Sequence, residues 1–319
     1  MTPTGSRCSS TTAHRRRRLP HHAPPRHRLR DFLYRKSGSG AGAARVEDAG
    51  DASGGGRGAA RPGSAIPFGT HGQTLDVWRP AGEVSATRPV VIFWYGGGWV
   101  KGDRRAYAFA ARAFAKAGFV VVVPDYRKVP GVRFPAFVQD GAQAVRWTRD
   151  HIADYGGDPG RIALAGHSAG AYTVAMLALD RRWLLAEGVD PAIVRAGVGL
   201  SGPYDFYPFT AKRSIDAMQG VADPAMTQPI HFARADAPPL LLVTSGGDTV
   251  VRPRNAINLA ARLKALGAPV TLRKYPGVTH EEVVMALSTP FRSKAPTLAD
   301  SIASSTLRWR RVDAGAGEA

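Results

Sequence analysis

Gly166-His167-Ser168-Ala169-Gly170 is the stretch of this sequence best suited to covalent chemistry. It fits G-x-S-x-G, in which a serine sits on a tight turn between a strand and a helix with its hydroxyl exposed. So short a pattern also arises by chance in a glycine-rich chain, so its surroundings decide. Here the apolar run Ile162-Ala163-Leu164-Ala165 leads into it, and helix formers from Ala169 to Leu179 follow it. A serine hydroxyl is a poor nucleophile near neutral pH. A histidine must take its proton, and a carboxylate must hold that histidine's tautomer. On a strand-serine-helix turn these partners follow in the chain order Ser, Asp, His. Asp248 comes after the apolar run Leu240-Leu241-Leu242-Val243 by way of Ser245-Gly246-Gly247, and His280 comes after a run ending at Tyr275 and the turn Pro276-Gly277-Val278-Thr279. Both fall at the carboxyl ends of strands, the edge on which Ser168 also lies. Asp205, just beyond a run ending at Ser201, is the alternative acid. His231 precedes Asp248 in the chain, and Asp236 stands at the entrance of its strand instead of the exit. Tyr95-Gly96-Gly97-Gly98-Trp99 follows another apolar strand, and consecutive glycines let backbone N–H groups turn toward a negative oxygen formed on an attacked carbonyl.

The elements that must position these residues alternate along the chain. Strands are expected at Thr74 to Arg79, Pro89 to Tyr95, Phe119 to Asp125, Arg161 to Ala165, Ala196 to Ser201, Leu240 to Ser245 and Val270 to Tyr275. Helices are expected near Ala106 to Ala117, Phe137 to Tyr155, Ala169 to Leu179, Arg254 to Leu266 and Thr297 to Trp309. Runs such as Val120-Val121-Val122-Val123 have no polar face, which suits the centre of a sheet covered on both sides. The alternation implies an α/β fold with a mostly parallel sheet flanked by helices.

Residues 1–63 differ in kind from the rest. They hold the run Arg15 to Arg18, His and Pro repeats, and the triplet Gly54-Gly55-Gly56, with 13 Lys+Arg against 4 Asp+Glu. Such a composition has too little apolar surface to offset its ordering entropy, so 1–63 is expected to be a disordered basic tail or an over-long gene start, with one helical turn at Asp31 to Lys36. The twin arginines are followed by Leu19, Pro20, His21 and His22, with no apolar export segment behind them. The remaining residues, 64–319, form the expected catalytic domain. Half of the net charge of +18 sits in the tail, which leaves the body only moderately basic and gives no reason to expect a nucleic-acid partner. Cys8 is the single cysteine, so neither a disulfide framework nor a cysteine-held zinc is available, and a reducing, cytoplasmic setting is expected. No apolar run reaches the length of a membrane span.

From about Gly69 to the C-terminus the chain resembles the α/β-hydrolase superfamily, specifically bacterial carboxylesterases related to hormone-sensitive lipase and kynurenine formamidase. The resemblance is carried by Tyr95 to Trp99 with Gly102-Asp103, by Asp125-Tyr126-Arg127, by Gly156-Gly157-Asp158-Pro159, by Gly166 to Gly170, and by the Asp248 and His280 segments. It implies that the N–H groups of Gly97, Gly98 and Ala169 form the oxyanion hole, and that Asp125-Tyr126-Arg127 is scaffold with its arginine paired internally. Related chains usually carry histidine where this one has Tyr95, a side chain that braces the loop. Tyrosine keeps one hydrogen-bond donor for that purpose.

Trp99, Tyr204 and Phe206 are the candidate pocket residues, the last two from the aromatic cluster Pro203 to Phe209. Together these readings lead to a serine hydrolase of small or aromatic carboxylic esters acting through an acyl-enzyme, with neither cofactor nor metal. Hydrolysis of N-formylkynurenine would use the same residues. A reading of another class, an inactive binding protein on the same fold, is disfavoured by the complete set Ser168, Asp248 and His280. The oligomeric state stays open, a homodimer included.

Overall fold

The computed structural model describes residues 58–82 and 86–306. The Arg15 to Arg18 run and the helical turn expected at Asp31 to Lys36 lie outside them. Among the described residues eight strands form one sheet: β1 (Ala60–Phe68), β2 (Gln73–Arg79), β3 (Arg88–Trp94), β4 (Val120–Pro124), β5 (Gly157–His167), β6 (Val194–Leu200), β7 (Leu240–Ser245) and β8 (Val270–Tyr275). Their spatial order is β1-β2-β4-β3-β5-β6-β7-β8. β1 and β2, and β2 and β4, pair antiparallel, and every other pair is parallel. The strands without a polar face lie where two-sided burial demands it. All of β4 and β7 and the Ile162 to His167 half of β5 are buried, whereas the edge strands β1 and β8 are largely exposed.

The helices are α1 (Ala108–Lys116), α2 (Ala136–His151), α3 (Ala169–Leu179), α4 (Arg182–Ala186), α5 (Lys212–Met218), α6 (Arg254–Ala265), α7 (His280–Met285) and α8 (Thr297–Thr306). α3 is buried along its whole length, as its sequence, apolar on every side, requires. Strand β3 sits between β4 and β5, so the chain leaves it toward one side of the sheet and later returns on the other. Such a switch point opens a crevice at the carboxyl ends of the strands. Trp94, the last residue of β3, is in register with Gly166, which brings the glycine loop and the serine turn to that crevice together.

Parts of the fold differ from the expected elements, the short helices α4 and α7 among them. β1 begins at Ala60, so the sheet takes in the last four residues of the segment that composition sets apart as 1–63. Pro62, Gly63 and Pro67 make this run read as a loop, yet it is an edge strand with two register shifts, where a missing N–H is tolerated. β5 starts at Gly157 and not at Arg161, extending through a stretch whose glycines and proline read as a turn. Between β6 and β7 the chain folds α5 and the single 3-10 turns Pro224–Thr227 and Pro229–Phe232, none of which was expected.

Candidate active site

Ser168 occupies the one residue between β5 and α3, at φ 54° and ψ −118°. A non-glycine residue at positive φ is strained, and such strain persists only where the surroundings fix it. The surroundings do so here through the motif's glycines. A Cβ on Gly166 would stand 2.6 Å from the Gly170 carbonyl carbon, and one on Gly170 would stand 2.1 Å from the Trp94 carbonyl oxygen. Only glycine allows the helix to start so close to β3, and the turn is anchored across the sheet by the Ser168 N–H donating to the Leu200 carbonyl at 2.8 Å.

His280 begins α7, a helix that the sequence reading passed over. Its N-cap is Thr279, whose hydroxyl accepts from the Glu282 N–H while the Glu282 carboxylate accepts from the Thr279 N–H. This capping box was legible as Thr279-His280-Glu281-Glu282, and it fixes the backbone from which the imidazole projects. Nδ1 of His280 donates to Asp248 Oδ2 at 2.8 Å, with both side chains buried. The other oxygen, Asp248 Oδ1, accepts the N–H groups of Val250 at 2.9 Å and Val251 at 2.8 Å. A carboxylate so surrounded by donors orients the ring and leaves the proton on Nδ1. In the neutral ring Nε2 is then the acceptor, and it is buried with no hydrogen-bond partner among the described residues. Asp205 is turned elsewhere. Its carboxylate accepts from the amide of Asn258 at 2.6 Å on an exposed face.

His167, the variable residue of the motif, was assigned no part by the sequence. It is buried, and its Nε2 lies 3.1 Å from the His280 carbonyl while its Nδ1 lies 3.0 Å from the Tyr107 hydroxyl. A carbonyl can only accept, so Nε2 carries the hydrogen and Nδ1 accepts from Tyr107. Burial, and then the neighbouring His280, hold the His167 pKa well below the ordinary histidine value, so the ring is neutral. The two imidazoles stand 4.7 Å apart between centroids.

The glycine loop lies against the serine turn. A Cβ on Gly96 would be 2.8 Å from His167 Nδ1 and 3.0 Å from Ser168 Cβ. Gly97, Gly98 and Trp99 all have positive φ, at 140°, 62° and 63°. The loop is closed by the N–H groups of Val100 and Lys101 donating to the Gly97 carbonyl, contacts that use no N–H of Gly97 or Gly98. Ala169 is the first residue of α3, where an N–H has no acceptor within the helix. Tyr95 at the base of the loop donates its hydroxyl to Asp125 Oδ1 at 2.8 Å and stacks on Tyr126. Burial, and then the Asp125 charge, push its pKa well above that of an ordinary phenol, so the donor is retained. Asp125 is itself held by Arg104, which also bonds Asp76. Arg127 pairs with buried Asp140 at 2.8 Å, the internal pairing expected of this scaffold segment.

The three expected pocket residues separate. Trp99 is buried and stacks on half-buried Phe206, with Tyr172 set edge-on against both. Tyr204 has no exposed surface. It packs with Leu240, Leu242 and Leu259 in a core cluster on the side of α3. Its placement as a pocket residue is therefore corrected to packing.

Comparison with known proteins fits this geometry. The chain is 34% identical to Esterase LipC of Mycobacterium tuberculosis over 65% of its length and 56% of that protein's. It is 28% identical to the isoprenylcysteine alpha-carbonyl methylesterase ICME of Arabidopsis thaliana, over 72% of this chain and 58% of that one. The chain thus spans slightly over half the length of these curated relatives. Esterase B of Lactobacillus rhamnosis, solved with a tributyrin phosphonate inhibitor, superposes with a TM-score of 0.73 at 20% identity, over 86% of this chain and 94% of that one. That likeness shows the α/β-hydrolase fold. No helix among the described residues is long and apolar enough to cross a membrane. The BD-FAE family model matches residues 75–263, from β2 through α6 and so across the glycine loop, Ser168 and Asp248, and the chain belongs to that family.

Proposed function

We propose that this protein hydrolyses carboxylic esters through a covalent acyl-enzyme on Ser168. The observation that carries the reading is the setting of His280: Nδ1 is fixed by Asp248, Nε2 has no partner among the described residues, and the ring stands 4.7 Å from that of His167, the residue before Ser168. The Ser168 hydroxyl oxygen attacks the ester carbonyl carbon while its proton passes to His280 Nε2. The carbonyl oxygen becomes negative and is received by the N–H groups of Gly97, Gly98 and Ala169. When the bond to the alcohol oxygen breaks, His280 returns the proton to that oxygen. Water then repeats the sequence on the acyl-enzyme, releasing the acid and restoring the serine. Asp248 acts through His280, holding the tautomer and offsetting the charge that the ring gains. Trp99 and Phe206 supply the apolar wall for a small or aromatic substrate.

Names of the relatives, an esterase and a methylesterase, support ester cleavage over amide cleavage. The test is turnover of 4-nitrophenyl acyl esters by the wild type and by Ser168→Ala. The variant is expected to keep its melting temperature and lose turnover, and an organophosphonate should label Ser168 stoichiometrically. Labelling elsewhere, or an active variant, overturns the assignment.

A further inference from the structure

Arg213 lies in the segment between β6 and β7, on α5, and its side chain covers the glycine loop. A Cβ placed on Gly98 would stand 2.5 Å from Arg213 Cδ, 3.4 Å from Cγ and 3.5 Å from Nε. The aliphatic stem therefore fills the space that a side chain at Gly98 would take, and the guanidinium begins beside the loop. A guanidinium is charged at every accessible pH.

Its charge is uncompensated. Arg104, Arg127, Arg146, Arg182 and Arg234 each meet a carboxylate, whereas Arg213 has neither an ion pair nor a hydrogen bond among the described residues. The carboxylate on its own helix, Asp216, is engaged by Lys212 at 2.7 Å. Arg213 is nonetheless half-buried, so water alone does not fully surround it. The next residue of the loop, Trp99, is by contrast aromatic and stacks on Phe206, which packs against Phe209. The glycine loop thus carries a cation against Gly98 and an aromatic group at Trp99. A planar guanidinium fork matches a carboxylate with two parallel hydrogen bonds.

We propose that Arg213 determines specificity by receiving a carboxylate carried on the ester substrate, so that the preferred substrates are esters with an apolar body and a free carboxylate at one end. This rests on the hydrolase reading above. The carboxylate takes no part in bond making, and its contact with Arg213 orients the scissile carbonyl over Ser168.

Steady-state kinetics on the full chain with matched pairs tests it: mono-4-nitrophenyl glutarate against 4-nitrophenyl valerate for charge on the acyl side, and 4-acetoxybenzoate against 4-tolyl acetate for charge on the alcohol side. In the wild type the anionic member of one pair is expected to have the higher kcat/KM. Arg213→Met should lower the anionic-to-neutral ratio about tenfold, mainly through KM, the size of one charge-assisted contact at a half-exposed site. Arg213→Lys should restore part of the ratio, and about 0.5 M NaCl should erode it in the wild type. An equal ratio in wild type and Arg213→Met overturns the proposal, as does a variant that loses both members of a pair alike. Wild type that hydrolyses none of the four esters removes the hydrolase reading itself, and this proposal with it.

Discussion

Tyr95 donates to Asp125 at 2.8 Å from the foot of the glycine loop, and Tyr126 stacks beneath it and returns a hydrogen bond to the Tyr95 carbonyl at 3.2 Å. A phenol thereby does the bracing for which related chains usually have histidine, and it reaches a carboxylate already neutralised by Arg104. Tyr95→Phe should remove one donor while the ring stack remains. The expected loss is about 1–2 kcal/mol of stability, the scale of a buried hydrogen bond, with less than about a tenfold fall in kcat, because the oxyanion donors belong to the backbone. Denaturant unfolding and 4-nitrophenyl ester kinetics on the variant check both figures.

His167 gives the protein a defined acid sensitivity. Its pKa is held well below the ordinary value near 6.5 by burial and by His280, so the unfolded chain takes up a proton that the folded chain refuses. The unfolded state then binds more protons as pH falls, and the stability contributed by the neutral ring is complete above about pH 6.5 and lost progressively below it, at up to about 1.4 kcal/mol per pH unit. Melting temperature measured at steps from pH 7.5 to pH 5 should fall more steeply for the wild type than for His167→Gln. Parallel curves would assign the acid sensitivity to other groups.

Most of what positions the site was readable from the chain, and the failures share a physical origin. β7 was placed to the residue because its apolar run is bounded by prolines before and glycines after, and β8, which alternates instead, because Pro269 and Pro276-Gly277 mark its two ends. The serine turn was readable because its two glycines answer to two backbone clashes. Tyr204 was not, since an aromatic in a loop has the same sequence whether it faces the core or the mouth. His167 and Tyr107 were not, since their partnership spans 60 positions in the chain and depends on how β3 and β5 are paired. Arg213 was hidden for a similar reason: nothing local in Lys212-Arg213-Ser214 tells which cation finds a carboxylate.

The start of the sheet provides another test. β1 pairs Ala60 with Arg79 and Gly63 with Val77, and Arg61 approaches both Asp76 and the Trp78 ring. A chain lacking 1–57 should melt within about 1–2 °C of the full protein, whereas one lacking 1–63 should melt about 2–4 °C lower, as loss of roughly 1 kcal/mol implies at this size. Thermal scans of the two truncations decide where the folded unit begins.

Asp248 and Asp205 offer the sharpest comparison, because both follow a strand on the same edge of the sheet and only one touches a histidine. Asp248→Asn should preserve the fold and the hydrogen-bonded shape of the site while removing the charge that keeps the proton on His280 Nδ1. An asparagine can present its N–H₂ to the ring, favouring the tautomer that places the hydrogen on Nε2, where it cannot accept from Ser168. The expected cost is about four orders of magnitude in kcat with little change in KM. Asp205→Asn keeps a carbonyl oxygen that can still accept from Asn258, so its effect on kcat should stay under about twofold and its stability should move by less than about 0.5 kcal/mol, as for an exposed substitution. Kinetics of the two variants on one ester, with melting temperatures to show that both are folded, decide the matter. A crippled Asp205→Asn beside an active Asp248→Asn would move the acid to the end of β6 and leave the 2.8 Å contact at His280 without a catalytic part.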